Sequence, residues 1–309
     1  MNRVLFTATL FLAPMLVAAF GFSVLAALGL ILVLLLWRQA LALAPLMRPP
    51  GGPELELETV LASHFAEKAR WSLDRLGGPY TERPWVGVIG AFFLGRTVPR
   101  LHVRTGRSRS SLGESSEILR FLYGRYCGDA DVDTGFLEPT AERLEWEGRL
   151  DRYGRDLQIW VYHHLLDDPA LCKQAWGLDS DRLPLWQRLT GKLFFPVLAI
   201  FINRAFSPDA AHTQRAVDRI ETLLGETEER LADGSEALLG GAEPDFVDLT
   251  LAALSSLWLQ PDAFARGAYP EVRIDPERIP PRMRADMDRW RSAFPATTAH
   301  LERLYREKR

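Results

Sequence analysis

The hydrophobic pattern changes character along the chain. From Val4 to Leu36 no charged residue occurs. A helix over those roughly 33 positions would measure about 50 Å at 1.5 Å per residue. A bilayer core is about 30 Å thick and about 20 residues cross it. The run therefore predicts a membrane anchor, either one long tilted helix or two short ones turning near Phe20-Gly21-Phe22-Ser23. It is too long for a signal peptide, whose apolar core spans about 7–15 residues. Arg3 flanks one side, Arg38 and Arg48 the other, and Trp37 fits an interfacial position. Basic flanks favour the cytoplasm. A hairpin with both ends inside, or one span with its C-terminal side inside, each leaves the rest of the chain cytoplasmic. Pro49-Pro50-Gly51-Gly52-Pro53 then breaks the pattern and marks a boundary.

A mixed pattern follows. Leu55, Leu57, Val60 and Leu61 predict a short buried strand. Ser63 is placed to cap a helix running to about Leu76, with Phe65, Ala69, Leu73 and Leu76 on its inner face. Gly77-Gly78-Pro79 stops it. Tyr80 to Arg83 reads as a second strand, and Val86 to Gly95 is apolar without a period. In the next strand Leu101 and Val103 share one face, with Arg100, His102 and Arg104 on the other. Arg104 to Gly113 reads as a turn. Ser115 then opens a helix with Ile118, Leu119 and Leu122 inward.

Cys127 to Gly135 reads as a linker, and everything beyond it is helical in pattern. Glu138 to Leu166 forms a long helix carrying Leu144, Leu150, Leu157, Trp160 and Val161. Leu185 to Phe206 holds an apolar segment, Leu193 to Ile202, interrupted by Pro196; it is too short to span a bilayer and is expected to be a core helix, with a membrane dip as the alternative. His212 to Asp233 is another helix. Asp245 and Asp248 form a capping-box start for a buried helix at Leu249 to Leu254. Arg282 to Arg309 reads as one charged amphipathic helix. The resulting organisation is an anchor and linker over residues 1–50, an α/β domain over 51–126 and an all-helical domain over 135–309.

Composition adds exclusions. A net charge of −3 over 309 residues gives no basis for a nucleic-acid partner. Cys127 and Cys172 lie far apart and form no CxxC pair or metal-ligand cluster, which suits a reducing compartment and a chain without a metal.

Two places carry candidate chemistry. Val98-Pro99 precedes a short apolar strand. As a cis peptide it would leave the Val98 N–H and C=O free to pair with an extended peptide; as a trans peptide it would merely open an edge strand. The helix start at Ser115 offers unpaired N–H groups and a positive dipole end to a carboxylate, or Ser115 simply caps its own helix.

These segments, taken in order, resemble the glutathione transferase family from about Leu57 onward. Ser63-His64-Phe65-Ala66-Glu67-Lys68-Ala69-Arg70-Trp71 resembles its Ser-Pro-Phe-type strand-to-helix segment. Thr97-Val98-Pro99 resembles its cis-proline site, and Glu114-Ser115 its acid-serine pair. Gly241 with Asp245 and Asp248 resembles its C-terminal capping motif. The resemblance implies a thioredoxin-like α/β domain followed by an all-α helical domain, with glutathione as co-substrate and a homodimeric assembly.

It also assigns roles. Ser63 would donate a hydrogen bond to the glutathione sulfur and lower a thiol pKa that is ordinarily about 8.5. His64 and Pro99 would complete the glutathione contacts around it. Val98 would pair with the cysteinyl backbone, and Glu114 with Ser115 would hold the γ-glutamyl amine and carboxylate. Arg96 is the candidate for the glycyl carboxylate. Tyr153, Trp160 and Tyr162 would shape a pocket for a small apolar electrophile, as in detoxification. A non-catalytic scaffold at the membrane is the other role such a fold implies. His64 stands where the family has proline, Arg100 follows Pro99 where an apolar residue is common, and Ala66 stands where redox-active relatives carry a second cysteine.

Overall fold

The structure, a computed structural model, describes residues 24–43, 54–85, 98–106 and 108–309. The first part of the expected anchor, the Pro/Gly boundary, the apolar stretch after Trp85 and Arg96 lie outside the described residues. Two compact units divide the chain: Met1–Leu55 with His102–Ser110, and Glu56–Leu101 with Ser111–Arg309.

In the first unit, helix α1 (Val24–Leu43) continues the charge-free run, and its Leu25, Leu28, Leu32 and Leu36 side chains are exposed. Among the described residues no single helix is long and apolar enough to cross a membrane.

The α/β region contributes β1 (Glu54–Val60), α2 (His64–Leu76), β2 (Tyr80–Trp85), β3 (Arg100–Thr105), β4 (Ser108–Gly113) and α3 (Ser115–Tyr126), with strand order β2-β1-β3-β4. This succession is the expected thioredoxin-like one. Strand β4 lies where a turn was expected. Its sequence, Ser-Arg-Ser-Ser-Leu-Gly, is polar because most of its side chains face solvent at the sheet edge. Ser63 caps α2, its Oγ accepting from Ala66 N at 3.1 Å, and Gly77 ends the helix at φ +70°.

Helix α2 is buried on more than its apolar face. Glu67, Lys68 and Arg70 are at most 1% exposed. Each is paired: Arg70 Nη1 with Glu67 at 3.3 Å, Arg70 Nε with Glu82 at 2.8 Å, Lys68 with Glu147 at 2.8 Å and Arg309 with Glu67 at 2.7 Å. Charges enter a protein interior only with such partners.

The all-helical region comprises α4 (Ala141–Leu165), α5 (Pro169–Ala175), α6 (Leu185–Leu193), α7 (Phe195–Phe206), α8 (Ala210–Leu231), α9 (Phe246–Leu259), α10 (Pro281–Ala293) and α11 (Pro295–Glu307). Helix α9 is buried at every position but Leu257, and α2, α4 and α11 pack against it. Its start is the expected capping box. Asp245 Oδ1 accepts from Val247 N at 2.7 Å, and Asp248 Oδ2 accepts from Asp245 N at 3.0 Å. Two expectations are corrected. The single C-terminal helix is two, broken at Phe294-Pro295 because proline lacks the N–H an interior position needs. The Leu185–Phe206 segment is not core: α6 and α7 meet at a 72° bend and leave large apolar side chains exposed.

Gly154 marks the tightest approach of α4 to α2. A Cβ there would lie 2.7 Å from Phe65 Cζ and 3.1 Å from Leu254 Cδ2. Overpacking of this kind costs about 1–3 kcal/mol, against about 1 kcal/mol gained from alanine's helix propensity. Gly154→Ala is therefore expected to lower the urea midpoint, with a net loss of about 1 kcal/mol, where the same exchange on an exposed helix face raises it.

Candidate functional site

A cavity of about 470 Å³ opens in the second unit. Ser63, Val98, Glu114 and Ser115, drawn from three separate sequence motifs, all line it. Part of its apolar wall comes from α4 and α7, through Val161, Tyr162, Leu165, Ile202 and Phe206. The lining thus combines short polar side chains at two helix starts with an aliphatic and aromatic surface, the composition of a small-molecule site.

Ser63 is positioned by both elements it joins. Its N–H donates to Val60 O at 3.0 Å at the end of β1, and its Oγ accepts from Ala66 N at the start of α2. A serine hydroxyl has one hydrogen and two lone pairs. The cap uses a lone pair and leaves the hydrogen to donate. The oxygen also sits at the positive end of the α2 dipole, where a negative charge is favoured.

The Val98-Pro99 bond is cis, as the first of its two readings expected, and Val98 lines the cavity. At α3 the cap is Glu114, which makes no side-chain capping bond. Ser115 is the first helical residue, so it is not the cap of its own helix. Glu114 holds φ +63°, ψ 137°, backbone space that is essentially glycine's. A glutamate kept there costs about 1–3 kcal/mol of backbone strain, a cost that clusters at ligand sites.

Three residues absent from the sequence expectations complete the polar lining and its support. Ser116 Oγ accepts from Lys68 Nζ at 2.9 Å and donates to Asp151 Oδ2 at 3.1 Å. Lys68 Nζ also donates to Glu147 at 2.8 Å and lies 3.6 Å from Asp151 Oδ1. Asp151 Oδ1 is buried and accepts no hydrogen bond among the described residues. Ser116 and Asp151 line the cavity, so its polar lining is backed by the hydrogen bond and the ion pair they make to the buried Lys68. No local signal points to Lys68 or Asp151, because each acts on residues tens of positions away.

The remaining predicted residues divide. His64 Nε2 bonds the Gly154 carbonyl at 3.1 Å, so Nε2 carries the hydrogen of a neutral ring. Burial outweighs that bond and lowers the imidazole pKa to about 4. Tyr162 lines the cavity. Tyr153 and Trp160 are core residues instead: Tyr153 OH is bonded to Ser255 Oγ and accepts from Trp258 Nε1, and Trp160 Nε1 donates to Asp286. Their helical spacing reflects packing on α9 and α10. Cys127 and Cys172 do not line the cavity, and burial pushes the Cys172 thiol up to about 12.

The His64 environment fixes a pH dependence. Above pH 6.5 the ring is neutral in both folded and unfolded chains. Between 6.5 and about 4 only the unfolded chain takes up the proton, so stability falls as pH falls through that window. At full extent the loss is about 3 kcal/mol. Urea unfolding of His64→Gln, whose amide can still donate to Gly154, is expected to show this window flattened relative to the wild type.

No family model and no curated protein matches the chain. Among solved structures it is similar to FzlA from C. crescentus, at 16% identity over 81% of this chain and 87% of that one, with a TM-score of 0.46. It is also similar to a glutathione S-transferase of Ceriporiopsis subvermispora in complex with glutathione, at 13% identity over 82% and 97%, TM-score 0.47. Rice GST1 in complex with glutathione gives 17% identity over 84% and 96%, TM-score 0.41. These scores carry no weight for the chemistry, which rests on the chain's own geometry.

Proposed function

We propose that the cavity binds glutathione, stabilises its thiolate at Ser63 and directs it at an apolar electrophile held against α4 and α7. The observation that carries this reading is the convergence of Ser63, Val98, Glu114 and Ser115 on one cavity that also has an apolar wall. An extended tripeptide needs main-chain partners, which Val98 supplies. Its γ-glutamyl carboxylate suits the N–H groups of the first turn of α3, and its amine suits the carboxylates of Glu114 and Asp151 in the cavity lining.

The reaction follows from the site. The bound thiol loses its proton to solvent, and the thiolate is held by the Ser63 O–H and the α2 dipole. The sulfur then forms a bond to the electrophilic carbon, and the leaving group departs with its electron pair. Ser63 donates a hydrogen bond throughout and forms no covalent bond. A hydrogen bond to a charged partner is worth about 1.5–3 kcal/mol.

Calorimetric titration of glutathione into the full chain is expected to show saturable binding, weakened about tenfold in Ser115→Ala. Conjugation of a chloronitrobenzene should fall about ten- to a hundredfold in Ser63→Ala with binding largely kept. Binding without any turnover in the wild type would make the chain a glutathione-responsive scaffold. Absence of binding would remove the site assignment.

We further propose that the charge-free run from Val4 to Leu36 tethers the chain to a bilayer, with the remainder cytoplasmic. The expected outcome is that the full chain stays in the membrane pellet after alkaline carbonate extraction.

A further inference from the structure

Helix α6 is built inside out, and α7 is apolar on its outer side as well as its inner one. On α6 the inward positions are Gln187 and Gly191, while Leu185, Trp186, Leu189 and Leu193 face outward, 55–73% exposed. On α7, Phe195 and Ile202 are buried, while Ile200 and Phe201 are 62% and 54% exposed. A helix that packs on a core directs its large apolar residues inward. Here large apolar residues are exposed on both sides of the 72° bend. Monomeric soluble proteins rarely leave so large a contiguous apolar patch uncovered.

Charge identifies what covers it. Between Leu183 and Pro208 there is no aspartate or glutamate, and Arg188, Lys192 and Arg204 stand among the apolar residues. Arg188 pairs with Asp181 and Lys192 with Asp179, each at 2.6 Å, but those aspartates are 93% and 63% exposed. Surface pairs of this kind contribute little and exchange readily for a phosphate. A second copy of the chain across a two-fold axis would bring the same bases and no acid beyond Asp179 and Asp181, which are already paired. With 9 and 12 residues neither helix crosses a bilayer alone, and although the pair together is long and apolar enough, the 72° bend between them breaks a straight span. An apolar face with interspersed bases and no acids is the signature of a helix lying in the plane of an anionic membrane surface.

We infer that α6 and α7 form an interfacial docking surface for an anionic lipid bilayer. This surface is distinct from the N-terminal run and independent of what the cavity binds. Seated there, the α7 turns that carry Ile202 and Phe206 connect the lipid side to the cavity lining.

The test uses the full chain in vesicles, so that any N-terminal tether is constant. In a Cys127→Ser background, which removes the exposed thiol and leaves Cys172 buried, an environment-sensitive dye is placed through Ile200→Cys or, as control, through Glu229→Cys on exposed α8. Vesicles are phosphatidylcholine with or without phosphatidylglycerol, doped with nitroxide lipid. Quenching at position 200 is expected to exceed that at 229 by at least roughly threefold in the anionic vesicles, and to be weaker in phosphatidylcholine alone. Arg188→Glu with Lys192→Glu should bring it down to the control level. The inference is overturned if position 200 is quenched no more than 229 in anionic vesicles. It is equally overturned if the dye at 200 becomes shielded on concentrating the chain without vesicles, which would assign the face to a second copy.

Discussion

The carboxylate of Asp248 is fully buried, and its two oxygens accept from three groups: Leu238 N at 2.8 Å, Asp245 N at 3.0 Å and His300 Nε2 at 2.9 Å. An ionised carboxylate removed from water is tolerated only when its lone pairs are met in this way. The arrangement ties the loop before α9, the start of α9 and α11 to one point. Helix α9 is in turn the surface on which α2 and α4 rest. The placement of Ser63 at the head of α2, and of Gly154 and Asp151 on α4, therefore descends from one acid that touches nothing in the cavity.

Much of this was readable because it is local. Ser63, Gly77, Asp245 and Asp248 announce helix ends through side-chain or backbone chemistry that acts within four residues. Leu101 with Val103, and Ile118 with Leu119 and Leu122, are buried as their periods require. What escaped is non-local. Glu67, Lys68 and Arg70 look like the solvated side of an amphipathic helix, and partners such as Glu82, Glu147 and Arg309, 12 to 242 positions away, make their burial tolerable. Helices α6 and α7 escaped for another reason: an apolar stripe states that water is avoided, not whether protein or lipid replaces it. The break at Pro295 was a local signal passed over in favour of the flanking charge pattern.

The cavity shows the same division. Ser63, Val98, Glu114 and Ser115 were each visible in short motifs, and the fold's contribution is to bring them together. The strained Glu114 backbone, the Lys68–Asp151 pair and the Lys68–Ser116 link have no signature at the level of residue types, because each exists only in the assembled geometry. His64 does both: it lines the cavity, as its place in the motif implies, and its ring fastens α2 to α4 through Gly154.

The ionic groups gathered at the polar lining of the cavity have a collective property. The lining carries Glu114, Asp151, Arg155 and Arg273, and the ion pairs linked to them add Lys68, Arg120, Glu147 and Asp262, four formal charges of each sign. Such a mouth projects no monopole into solution and offers no long-range pull on a visitor of either sign. Capture is then governed by ordinary diffusion, nearly indifferent to ionic strength. Selection is made only on arrival, by a molecule whose own opposite charges match the spacing of those it meets.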